Sequence, residues 1–166
     1  MSREKILNLN NCLKEQSNIY EKILELAISQ EELCREADFS HDHNMDKLNQ
    51  ILAERQELVE QIEEKKNIIQ NLKESLKEEL DLAEVNVSAL TEKFPYSETT
   101  QLSIILDKIE NLLKNIAELD DKSREMFNSK LSQVKEQLTN INKGKQAGQA
   151  YRPVIVQREG YFIDKK

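Results

Sequence analysis

Glycine is absent from the first 143 residues of this chain: Gly144, Gly148 and Gly160 are the only three, and all lie in its last stretch. With Pro95 as the one proline in that span, the backbone meets almost nothing that forbids a helix over very long runs. Charged residues make up 33% of the chain and aromatics only 5%, with no Trp. Any core must therefore be assembled from many aliphatic side chains along narrow stripes rather than from bulky anchors. At 166 residues there is room for one folded domain. The expectation is an all-α protein, an elongated antiparallel helical hairpin or bundle of three to four long helices. Residues 1–143 are expected to form the helical domain, and residues 144–166 a flexible, basic and aromatic C-terminal tail.

The stripes support this reading. Residues 2–37 repeat apolar or small side chains every seven positions at Ile6, Leu13, Tyr20, Ala27 and Cys34, widened by Leu9, Ile19, Ile23, Leu26 and Leu33. At about 1.5 Å per residue such a helix is about 50 Å long. Ser2 is its expected N-cap. In residues 38–44, Asp, Ser, His and Asn side chains compete with the helical ladder, so a polar break is expected there, with Asn44 capping the next helix. A second helix is expected over residues 45–92, marked by Leu48, Ile62, Ile69, Leu76, Val87 and Leu90. Arg55 and the Lys65-Lys66 pair interrupt its seam. They are read chiefly as long stems lying over apolar neighbours, with register specification as the alternative.

Phe94-Pro95 ends that run, because the residue before proline is pushed out of the α region, and Ser97 offers the next cap. The third stripe passes through Leu102, Ile105, Ile109, Leu112, Ile116 and Leu119. It resumes at Met126 and Phe127 after the polar Asp120-Asp121-Lys122-Ser123, where the phase slips. A stutter in one continuous helix is expected there, a break giving a fourth helix being the alternative.

Little here carries reaction chemistry. His41-Asp42-His43, near Asp38 and Cys34, holds the only metal-ligand residue types in proximity, and a solvated interhelical loop explains them better than a metal site. Paired acids such as Glu31-Glu32 and Glu78-Glu79 sit among lysines at helical spacing, as on a wet helix face. General acid or base work needs a desolvated cleft, which long helices poor in aromatics do not offer. No enzyme, metal or cofactor is expected. The net charge of −7 argues against nucleic acid as a partner. No run of about 18 apolar residues suggests membrane insertion, and Cys12 and Cys34 lack any paired spacing, so the cytoplasm is the default.

The stripes themselves are the informative feature. Most of these side chains should form the protein's own core. The second half of the third helix, residues 127–141, is expected to show an apolar face that the rest does not cover, a place for a partner helix with anchors at i, i+3, i+4 and i+7. The tail holds Tyr151, Tyr161 and Phe162 beside its basic residues, and reads as a recognition arm or as a flap on its own bundle.

The segments YEKILELAISQEELC from Tyr20 and MDKLNQILAERQELVEQI from Met45, the polar break between them, and the ending Tyr161-Phe162-Ile163-Asp164-Lys165-Lys166 are similar to the FlgN- and FliT-type flagellar export chaperones of bacteria, the FlgN-like kind above all. The resemblance implies a cytoplasmic type III flagellar export chaperone. Such a protein binds the C-terminal helical segments of hook-filament junction (hook-associated) proteins, prevents their premature self-association and delivers them for export. It implies no cofactor, hook-associated proteins as partners, export-apparatus components as further ones, and binding through the last helix and tail. That maps onto Phe127, Leu131, Val134, Leu138, Ile141 and Tyr151, with Phe162 and Ile163 beside them. The alternatives are a FliT-like filament-cap chaperone and a self-associating coiled-coil scaffold; a homodimer is compatible with the chaperone reading, whereas the scaffold predicts a stable one and no disordered tail.

Overall fold

A computed structural model describes residues 1–150. Among the described residues the chain forms four helices: α1 (Ser2–Glu36), α2 (Asp42–Leu80), the short α3 (Val87–Lys93) and α4 (Ser97–Ala150). α1 and α2 make an antiparallel hairpin. α4 then returns antiparallel to α2 and in the same sense as α1, so that Arg3 meets Glu98, Glu21 meets Lys108, and Lys130 reaches the carbonyls at the end of α1. α1 is the central member: α2 and α4 both pack along its length and approach each other at few places.

The core is layered along this axis. At the base, Ile6, Leu9 and Leu13 of α1 meet Ile69 and Leu76 of α2, Leu90 of α3 and Leu102, Ile105 and Ile109 of α4. The middle layer is Ile19, Ile23, Ile62 and Ile116. At the far end, beside the α1–α2 loop, the buried apolar residues are Cys34, Phe39 and Leu48, with Met126 and Phe127 packed against them. Burial in α2 follows Leu48, Ile62, Ile69 and Leu76, a strict seven-residue seam.

Several local expectations are corrected. α2 stops at Leu80 instead of continuing to residue 92. Asp81 adopts left-handed backbone, φ 51° and ψ 53°, and the amides of Asp81 and Leu82 fold back on the carbonyls of Glu78 and Lys77, a Schellman-type ending. Asn86 then caps α3 by accepting a hydrogen bond from the Ala89 amide at 2.8 Å. A straight helix would have carried Val87 and Leu90 past the end of the bundle. The break folds Leu90, fully buried, over the base. Ser2 is helical rather than the cap, with Met1 in that place, and its hydroxyl donates to Glu79. α2 begins at Asp42, and Asn44 donates to the Asp38 carbonyl at 2.8 Å instead of capping.

α4 is continuous through the polar patch at residues 120–123, as expected of a stutter. It also runs past the expected end at Lys143, through Gly144 and Gly148, to Ala150. Each glycine costs a helix about 1 kcal/mol, less than a proline, and the intervening Lys, Gln and Ala are good helix formers.

Candidate interaction surface

α4 is 54 residues long and α1 is 35. Because the two start together at the base, α4 overshoots the α1–α2 loop. Residues 135–148 are all exposed, and residues 135–150 form a stalk of about 24 Å at about 1.5 Å per residue.

Two devices hold α4 before it leaves the bundle. At the waist, Arg55 occupies the seam position of α2 between Leu48 and Ile62 and reaches across to Asp120 with two hydrogen bonds of 2.6 and 2.8 Å, while also donating to Gln30 at 2.7 Å. The expectation of a stem merely lying over apolar neighbours is thus corrected for Arg55. Its charge ties all three long helices in one register. Asp120 lies one helical turn after the buried Ile116, beside the face of α4 that meets the bundle. Beside the pair, Cys34, Leu48, Leu52, Ser123 and Phe127 line a recess of about 390 Å³. Burial pushes the Cys34 thiol pKa up, so it packs as a small apolar group rather than as a nucleophile.

At the loop, Phe39 meets Phe127 edge to face, ring centroids 5.1 Å apart. Lys130 donates to the carbonyls of Arg35 and Ala37 at 3.0 and 2.6 Å, with its ammonium over the Phe39 ring. The loop itself is drawn in by Asp38, whose carboxylate accepts from the Ser40 amide at 2.9 Å; that bond holds its pKa below the usual range. Phe39 and Lys130 did not stand out in the sequence. The available signal was that Phe39 is the only aromatic in an otherwise polar break.

The residues expected to bind a partner divide accordingly. Phe127, Leu131, Val134, Leu138 and Ile141 fall on one face at spacings of four, three, four and three. Phe127 is half-buried and engaged by Phe39. Leu131 and Val134 are half-buried, Val134 lining a groove of about 340 Å³ with Ala37, Phe39, Gln133 and Gln137. Leu138 and Ile141 are open, 55% and 54% exposed. Tyr151, Phe162 and Ile163 lie outside the described residues. His41 and Asp38 approach to 3.8 Å on the surface, and no cluster of three potential metal ligands forms among the described residues. No helix of the described residues is long and apolar enough to cross a membrane.

The arrangement is a braced bundle offering a single helix with a narrow apolar seam, and it has the means to hold another helix rather than to transform a small molecule. In comparison with known proteins, a family model described as FlgN protein matches residues 1–154. Neither the curated proteins nor the solved structures provide a match.

Proposed function

We propose, from the premise that this chain belongs to the FlgN family, that the stalk of α4 is where its client is held. The chain is a flagellar export chaperone for hook-associated proteins and not an enzyme. The observation that carries the site is the exposure of Leu138 and Ile141 on a helix that, among the described residues, has outrun the other elements of the bundle. Leu138 and Ile141 form the free part of the seam, Leu131 and Val134 its shaded inner end, and Phe127 the root packed on Phe39. Tyr151, Phe162 and Ile163 are the further contacts this reading assigns beyond the stalk.

The occupant is the C-terminal helical segment of a hook-associated protein. Such a segment has an apolar seam of its own, which self-associates when left bare, and a helix of matching period covers it by the same knobs-into-holes packing. The client stays single until it is delivered, which makes the export apparatus the second partner and the cytoplasm the place of work.

Leu138→Asp separates this reading from a purely structural role. Leu138 is already half in water, so the substitution leaves the helical circular dichroism signal unchanged. Binding loses the burial of a leucine and gains a carboxylate to desolvate, about 2 kcal/mol or roughly 30-fold in Kd. Titration against C-terminal segments of hook-associated proteins measures it. Unchanged affinity, or collapse of the helical signal, refutes the assignment.

A further inference from the structure

The charges around the free seam say what kind of helix fits it. Written as a heptad, Leu131 and Leu138 take position a, and Phe127, Val134 and Ile141 take d. The positions that border such a seam are e and g. On one side these are Asn128, Lys135 and Asn142, and on the other Lys130, Gln137 and Gly144. Lys145 takes the next a position, so the apolar run ends on an ammonium. The only acid in residues 128–150 is Glu136, at position f on the far side. In a chain of net charge −7 this stretch of seam is thus flanked by Lys135, closed by Lys145 and free of bordering acids, while Lys130 at its inner end is held by the carbonyls of Arg35 and Ala37.

We propose that the stalk selects a helix whose apolar seam is bordered by Asp and Glu, and that the same lysines keep two copies of this chain from pairing through their stalks. The proposal rests on the client-binding reading above. Charges at e and g decide which coiled-coil partners are accepted, because like charges brought together cost several kcal/mol while opposite ones steer association. In a parallel pair of stalks the e positions of one copy face the g positions of the other, and in an antiparallel pair e faces e and g faces g. Lysine finds no acid opposite it in either, and Lys145 would be buried in the seam of both. Self-pairing is further weakened by the length of the free seam, about two heptads, short for an autonomous coiled coil. An acidic helix gains at Lys135 and Lys145.

The test uses the full chain and two synthetic helices of about three heptads with identical Leu and Ile seams, one with Glu and one with Lys at e and g. By fluorescence anisotropy at about 50 mM salt, the Glu peptide binds about tenfold tighter than the Lys peptide. The gap shrinks at about 0.5 M salt, and Lys135→Glu combined with Lys145→Glu reverses the order. Equal binding of the two peptides, or an order the double variant leaves untouched, overturns the proposal. So does a wild-type dimer in sedimentation that Leu138→Asp dissolves, or capture of the chain by anionic lipid vesicles in preference to either peptide. A hook-associated C-terminal segment run in parallel tells the two failures apart. If it binds through Leu138 but ignores both lysine substitutions, charge selection falls and the client reading stands. If its binding ignores Leu138, both fall.

Discussion

Asp120→Asn is the perturbation that most directly probes how α4 is held in place. Arg55 sits in the apolar seam of α2 with its side chain 16% exposed, and its partner Asp120 is 31% exposed. Ion pairs on an open surface contribute about 0.2–1 kcal/mol. Breaking a buried pair costs about 3–5 kcal/mol, because the orphaned charge stays in a poor dielectric. The geometry lies between these limits, with Gln30 left as a neutral acceptor for the guanidinium, so the loss should be about 2 kcal/mol. For a chain of this length that corresponds to a fall of about 4–8 °C in Tm. Replacing both members by apolar groups, Arg55→Met with Asp120→Leu, removes the charge as well as its partner and should cost about 1 kcal/mol or less. Urea unfolding of the wild type, both single variants and the double variant, followed by circular dichroism, gives the coupling directly, expected at about 1–2 kcal/mol. Asp120→Asn within about 0.5 kcal/mol of wild type, or single effects that simply add, would show that the pair is ornamental and the register is set by the aliphatic seam alone.

Two further outcomes follow from the ends of the bundle. At the base, the Glu79 carboxylate is held below the usual glutamate range by the Lys5 ammonium and the Ser2 hydroxyl, and Glu98 by its own backbone amide and by Arg3. A carboxyl lowered in the folded state stabilises it above the unfolded value, near 4.5, and that stabilisation is lost as pH falls through the folded value. The urea midpoint should therefore drop between about pH 5 and pH 3, and Glu79→Gln with Glu98→Gln should flatten that slope. At the stalk, a methyl group built on Gly144 or Gly148 meets nothing within 4 Å. Each Gly→Ala change should therefore stabilise the helix there by about 0.8–1 kcal/mol, read as slower amide exchange in residues 140–148 without any change in the bundle.

The helices were legible because their period is written in leucine and isoleucine, and Pro95 marks its own stop. The end of α2 was hidden by the same signal: Leu80, Ala83, Val87 and Leu90 keep helical spacing across the turn at residues 81–86, so periodicity ran on where the backbone did not. Only Asp81 and Asn86, short polar side chains suited to a left-handed turn and a cap, hinted at it. The Arg55–Asp120 pair spans 65 positions, and no local pattern says which of many acids an arginine will choose. The face at residues 127–141 was visible as a stripe. Where it passes from packed to open was not, since that depends on α1 and α2 turning back near Phe39 while α4 continues.

The packing also tapers, from nine buried aliphatic residues around α3 to Cys34, Phe39 and Leu48 at the opposite extremity. Local opening is cheapest where the fewest apolar contacts must part. Opening of the bundle is therefore expected to begin at the thin extremity, where the contacts of Phe39 and Lys130 are the last that hold α4 to α1. The thick extremity then keeps α1, α2 and α4 together while the opposite one frays.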